Sequence, residues 1–267
     1  MAHMAYKAYF QGKRGMIAGL VLAIILAAGA WWYQAQKQAP HVGDPSLRQE
    51  LQPYAHLFEF ENADPNLPPG AQEAYFERFT AATNALKADP ETFNAWLDLG
   101  KVHKNMNQFE KARDAWIRLG EVSPLNSISF GNLGDLYAWF LHEPEQGEQA
   151  YLQALKNEDD DINFYRNLAE IYEKLLPVKR GEIRPLLEKG IEAAKTPVEK
   201  AELLSLLGSY ERNWYQESKG DNKQLREDAL GHFREVLKTA PDYPNKAIIQ
   251  AEIEKLEIEK LKERQGG

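Results

Sequence analysis

Apolar residues follow three regimes along this chain. Gly15 to Tyr33 (GMIAGLVLAIILAAGAWWY) runs nineteen positions without a charge, and as a helix it would measure roughly 28 Å against a hydrocarbon core of about 30 Å. Residues 34–70 are polar and broken by prolines, except for SLRQELQPYAHLFEFENA, which has helical apolar spacing and places Ser46 and Gln49 at capping-box distance. From residue 71 onward, apolar residues recur three and four positions apart in segments of helical length. That is the pattern of helices that bury one stripe and solvate the rest.

The first regime predicts a transmembrane helix over 15–33, with residues 1–14 as a short arm and 34–70 as a linker carrying one short helix. Trp31, Trp32 and Tyr33 close the run, and such rings favour the headgroup interface. Lys7, Lys13 and Arg14 precede it and only Lys37 follows closely, so the positive-inside tendency puts the arm in the cytoplasm and the remainder outside. Ala28-Gly29-Ala30 also has the small-x-small form of a signal-peptidase site, which keeps secretion after cleavage near Ala30 as the alternative. MAHM at 1–4 and YFQG at 9–12 look like appended residues, and no function is read from them.

In the third regime WLDLGKVH (96–103) and FGNLGDLY (130–137) align at an offset of 34 residues, with Trp96 over Phe130, Leu99-Gly100 over Leu133-Gly134 and His103 over Tyr137. This pattern resembles the tetratricopeptide repeat, a helical hairpin with W-x2-L-G-x2-Y in its first helix and A-x3-F-x2-A in its second. The unit 93–126 carries Trp96, Leu99, Gly100, His103, Ala112, Trp116, Leu119 and Pro124 at the family spacing. Unit 127–161 carries Phe130, Leu133, Gly134 and Tyr137, then Gly147, Tyr151 and Ala154 after one extra residue in HEPEQ. Unit 162–197 offers Tyr165, Leu168, Ala169 and Tyr172, then Ile183, Leu187 and Gly190. The last, 201–242, offers Leu204, Leu207 and Gly208, then Ala229, Phe233 and Val236, in a longer hairpin turning at KGDN. Residues 74–90 read as an isolated second helix ahead of the first unit. Residues 245–264 read as an amphipathic cap with Ile249, Ile253 and Leu256 inward and charges elsewhere, a partner coil being the alternative.

The resemblance implies an all-α solenoid of about four hairpins over residues 71–264. Large rings would fill the space between hairpins, and Gly100, Ala112, Gly134 and Gly208 would permit close helix approach.

Composition narrows the chemistry. Cysteine is absent, which excludes disulfides, thiolate metal sites and cysteine nucleophiles. The net charge of −8 understates the acidity of the part after the hydrophobic run, because all 40 carboxylates lie beyond residue 43. Such a surface argues against general nucleic-acid binding. No phosphate loop, dinucleotide fingerprint, nucleophile elbow or zinc-protease pattern occurs. His103 occupies the repeat's tyrosine slot and reads as packing. The acidic run EDDD (158–161) sits where a helix N-terminus favours carboxylates. The chain therefore reads as a non-enzyme without metal or cofactor.

What remains is the face of the first helices, which in this family lines the concave groove. Carried over residue by residue, the resemblance puts there Asn94, Leu97, Lys101, Lys104 and Asn105; Ile128, Asn132, Asp135 and Trp139; Asn163, Arg166, Asn167 and Glu170; and Glu202, Ser205, Ser209 and Arg212. Asparagine disfavours helix interiors, and its amide can clasp an extended backbone. Asn132 matches one position of the family's carboxylate clamp, whereas Leu97, Lys101, Asn163 and Asn167 depart from it. Lys101, Lys104 and Arg166 would favour an acidic segment.

The expected function is a membrane-anchored scaffold that docks a protein or peptide, contacts lipid through 15–33, and belongs to a bacterial cell-envelope complex. A structural subunit joined through repeat ends, and an accessory factor of secretion or cytochrome maturation, are the alternatives. Oligomeric state is left open.

Overall fold

The computed structural model describes residues 46–61, 67–68 and 70–266. The expected arm and membrane-spanning helix lie outside the described residues, and among these no helix is long and apolar enough to cross a membrane. The chain divides into two compact units, Met1–Glu59 and Phe60–Gly267.

Within the first unit the apolar pattern of the linker forms a 3-10 helix, Gln49–Phe58, with Leu51, Tyr54 and Leu57 buried. Pro53 lies inside it and cannot donate to the ladder. Arg48 rather than Ser46 is at the cap position, without a side-chain cap bond. Gln52 instead donates through Nε2 to the Leu47 carbonyl at 2.8 Å.

The second unit is built of antiparallel helices, and no strand occurs among the described residues. A leading helix α1 (Ala71–Ala88) is followed by the hairpins α2 (Phe93–Asn105) with α3 (Phe109–Val122), and α4 (Ile128–Asp135) with α5 (Pro144–Asn157). Next come α6 (Ile162–Lys174) with α7 (Ile183–Ala193), α8 (Pro197–Glu217) with α9 (Lys223–Thr239), and the terminal helix α10 (Lys246–Gly266).

One contact recurs in the hairpins. A Cβ added at Gly100 of α2 would fall 2.2 Å from Nε1 of Trp116 on α3, and one at Gly134 of α4 would fall 2.5 Å from the Tyr151 ring on α5. At Gly208 of α8 the Phe233 ring of α9 is 2.9 Å from that position. In each pair a large ring lies flat on a helix backbone, and only hydrogen leaves room for it. Trp116, Tyr151 and Phe233 are accordingly buried, as are Leu99, Ala112, Leu133, Leu168 and Ala229.

A second recurring contact ties each hairpin to what precedes it. Trp96 is fully buried, and its Nε1 donates to the Pro90 carbonyl at 2.8 Å. Tyr165, at the same place in α6, donates its hydroxyl to the Asp159 carbonyl at 2.7 Å, so indole and phenol each satisfy an acceptor in the preceding turn. Phe130 holds that place in α4 with no polar atom; half-buried, it packs on the core of the third hairpin and within reach of Gly120. His103 is buried, shares a 2.6 Å hydrogen bond with Gln108 and meets the Phe79 ring edge-on. It is a packed core histidine.

Two departures from the sequence-based expectations have local causes. The extra residue of the second hairpin is not looped out at HEPEQ. It is absorbed as a π-turn at Leu136–Phe140, closed by Leu141 N–H donating to the Leu136 carbonyl at 2.9 Å, after which His142 takes φ 58° as Asn107 does in the first hairpin. The last hairpin begins at Pro197 rather than 201, because Thr196 and Glu199 form a reciprocal capping box, a T-x-x-E signal that the repeat alignment overrode. In the third hairpin the connection between the helices contains a 3-10 turn, Pro177–Glu182, held by Lys179 on the buried Glu148 and by Arg180 between Glu173 and Glu217.

Helix α10 packs through Ile249, Ile253 and Leu256 and is pinned by polar bonds. The buried Arg226 meets Glu263 at 2.8 Å, Tyr215 donates to Glu263 at 3.0 Å, and Lys260 bonds Glu227. The expectation of charges on every other face of this helix is corrected, since Ile248, Ile258 and Leu261 are exposed.

Replacing Gly100 with Ala should cost about 1–3 kcal/mol by overpacking against the immobile Trp116 ring. Gly231→Ala in α9, where an added Cβ meets nothing within 4 Å, should stabilise by about 0.5–1 kcal/mol. Urea unfolding of the two variants checks the opposite signs. Acid should loosen α10 first. Hydrogen bonding from Lys260 lowers Glu227 below its ordinary 4.5, and Arg226, with Tyr215, lowers Glu263 in the same way. Their contribution is therefore complete above the ordinary value and lost as pH falls through the lowered ones. Hydrogen exchange followed below about pH 4.5 should show residues 246–266 losing protection ahead of the hairpins.

Candidate functional site

The first helices of successive hairpins lie side by side, which is what assembles a common face from α2, α4, α6 and α8. A Cβ at Gly131 of α4 would fall 2.6 Å from Phe164 of α6, Lys104 of α2 sits 4.7 Å from the Phe140 ring centre, and Arg166 of α6 meets Glu202 of α8 at 2.7 Å.

In the middle of this face polar groups meet across hairpins. Tyr151 donates its hydroxyl to Asp135 and accepts from the Asn167 amide at 3.0 Å, so α4, α5 and α6 share one hydrogen-bonded junction. Burial, reinforced by the Asp135 carboxylate, raises the Tyr151 phenol far above its ordinary value; it is a permanent donor at neutral pH. Beside it Arg166 also donates to the Asn163 side-chain oxygen at 2.6 Å, and the Asn163 amide in turn donates to Asp161 at 2.8 Å. Asp161 is the N-cap of α6 and accepts from the Asn163 backbone N–H, so the last residue of the EDDD run caps a helix.

The proposed groove residues are thus unequal. Asn132, Asp135, Trp139, Arg166, Asn167 and Glu170 are half-buried within the face, whereas Asn94, Lys101, Asn105 and Asn163 are exposed. Lys101 stands 3.8 Å from Asp98 with both side chains about half exposed. Leu97 is buried, so it belongs to the hairpin core. Ser209 turns its hydroxyl back on the Ser205 carbonyl, and Arg212 is tied to Glu252 of α10 at 2.8 Å.

Two rings, Trp139 and Phe140, sit in the π-turn beside this face. Phe140 points to Phe109, 5.0 Å between centroids, and Trp139 lies 5.9 Å below the Lys174 ammonium. Farther along, Tyr210 and Trp214 of α8 stack with centroids 5.9 Å apart, and the Trp214 indole N–H donates to Glu173 at 3.1 Å. Burial, with the Glu170 and Glu173 carboxylates, raises the Tyr210 phenol. Alignment by residue spacing missed Phe140, Tyr210 and Trp214; the only signal for them was an aromatic pair at i, i+4 in α8 and WF at the end of the π-turn. Among the described residues no group of His, Cys, Asp or Glu is placed to hold a metal ion.

No family model matches the chain, and no curated protein does. Solved structures similar to it include a crystal structure of MamA, 18% identical over 64% of this chain and 92% of that one with a TM-score of 0.49. PilW, a type IV pilus biogenesis factor, is 15% identical over 70% of this chain and 80% of its own, with a TM-score of 0.48. YrrB, a tetratricopeptide protein with a peptide-binding site, is 16% identical over 68% of this chain and 87% of its own, with a TM-score of 0.43.

Tyr151→Phe should remove the junction of α4, α5 and α6 while keeping the ring on Gly134. A loss of about 1 kcal/mol in urea unfolding is expected, and Asp135→Asn in the same background should then cost almost nothing further.

Proposed function

We propose that this protein is a membrane-anchored adaptor whose first-helix face captures an extended segment of a partner protein. The observation that supports this most directly is the concentration of half-buried amides, charges and rings on one face. Asp135, Asn167 and Arg166 are held by hydrogen bonds there, with Asn132 and Trp139 half-buried beside them, so side chains that would lose entropy on binding are already ordered. Amide and guanidinium groups offer donors to a partner backbone or carboxylate, and the part-exposed rings offer apolar contact area. Catalysis is not part of this reading.

Residues 15–33 are the proposed anchor, with the arm cytoplasmic and the helical unit on the other side, in a bacterial cell envelope. The linker would stand the unit off the bilayer. A structural subunit joined through its ends is the second reading, favoured by the exposed Ile258 and Leu261 on the terminal helix.

A photoreactive residue in place of Asn132 in intact cells should trap one dominant partner. Lys101→Glu should weaken the capture. Arg166→Glu by itself also breaks the contact with Glu202, so the exchange Arg166→Glu with Glu202→Arg is the informative variant: it preserves the α6–α8 pair and should still reduce capture severalfold. Undiminished capture in both variants would sink the groove reading. Deleting residues 15–33 should release the protein from the membrane fraction on extraction with alkaline carbonate.

A further inference from the structure

Cap and coil, treated as alternatives for the terminal helix, use opposite sides of it. The inner side of α10 is the packed stripe Ile249, Ile253 and Leu256, continued by Lys260 and Glu263, which bond Glu227 and Arg226. At 100° per residue a second stripe runs about 160° away: Ala247, Ala251, Glu254, Ile258, Leu261 and Gln265, at alternating spacings of four and three, every one of them exposed. Ile258 is 42% and Leu261 53% exposed, so two large apolar side chains one turn apart face away from the hairpins.

We propose that this outer stripe pairs with the same stripe of a second copy, in parallel and in register. In heptad terms Ala251, Ile258 and Gln265 fall at a, and Ala247, Glu254 and Leu261 at d. Ile at a followed by Leu at d is the combination that favours two parallel strands. The flanks decide the direction. Glu257 and Gln250 fall at g, Lys255 and Lys262 at e; a parallel pair sets Glu257 against Lys262 of the other copy twice, and Gln250 against Lys255 twice. An antiparallel pair would set lysines against lysines on one flank. Glu254 and, at the end of the helix, Gln265 are the two polar layers, and in the parallel arrangement Glu254 lies beside Lys255 of the other copy. The current partner of Glu257 is Arg234, in a contact about half exposed on both sides, which costs little to exchange.

The helix is 21 residues long, and a single helix face of that size buries less than the ~1,200 Å² typical of stable complexes. The association is accordingly weak in dilute solution and strengthened wherever copies are concentrated together. It does not use the first-helix face, so it stands or falls separately from partner capture.

The chain contains no cysteine, so a single introduced thiol reports on this geometry. Leu261→Cys in the full-length chain, kept in mild detergent and oxidised, should give a covalent dimer, because a d residue of a parallel pair faces its own counterpart. Ile248→Cys, more exposed at 61% but off the stripe, should crosslink at least fivefold more slowly. Adding Lys262→Glu to Leu261→Cys should slow crosslinking severalfold, and further adding Glu257→Lys should restore it. Equal rates for the two thiols, a Leu261→Cys chain that stays monomeric at high concentration, no rescue by the charge exchange, or capture of a different protein by Leu261→Cys in cells would each overturn the proposal. Capture through Asn132 should persist in Ile258→Glu with Leu261→Glu, which distinguishes failure here from failure of the groove reading.

Discussion

A ring pressed on a helix backbone that has no Cβ is the constraint from which the hairpins follow. Trp116 on Gly100, Tyr151 on Gly134 and Phe233 on Gly208 let the two helices of a pair approach closely. Close packing tolerates neither a gap nor an extra methyl at such a place. The exchange of ring type among the three hairpins shows that bulk matters there and polarity is secondary, although polarity is put to use: Tyr151 spends its hydroxyl on Asp135 and Asn167, linking the hairpin interior to the first-helix surface.

Between hairpins the connections are more varied. Trp96 and Tyr165 reach back to a carbonyl of the preceding turn. Near the C-terminal end, buried charge takes over: Glu211 of α8 is fully buried between Arg184 of α7, at 2.6 Å, and His232 of α9, and Arg226 is held against Glu263 and Tyr215. Charges removed from water in this way are held by partners that must be correctly placed, and their net contribution to stability is small because desolvation offsets the attraction.

The surface formed by the first helices follows from both kinds of contact. Several side chains there already have partners: Arg166 holds Asn163, and Asn167 and Asp135 are joined through the Tyr151 hydroxyl. Arg166 in particular serves α8 through Glu202, which makes it a structural residue as well as a candidate contact. The face is also richer in aromatic rings than residue alignment implied, because Phe140, Tyr210 and Trp214 add to Trp139; Trp139 and Phe140 lie in a π-turn. Such turns are rare in helices and concentrate where a helix carries a specific site.

The hairpins, their order and their core were legible in the sequence because ring, leucine and a small residue recur at fixed spacing, which puts them on one buried helix face. Trp96, Leu99, Gly100 and Trp116 announce it, and Leu133, Gly134 and Tyr151 repeat it. Local capping chemistry at Thr196 was equally readable and was obscured by fitting residues to a repeat length. What only the tertiary structure decided was the use of side chains that have more than one outlet. Whether an extra residue near 136–142 would loop out or enter the helix, whether Arg166 would face a partner or Glu202, and that α10 keeps Ile258 and Leu261 outside while Leu256 goes in, all depend on neighbours far away in the chain. Periodicity records which residues share a helix face; it carries no information about what stands opposite that face, and the opposing groups set where a charge or a ring comes to rest.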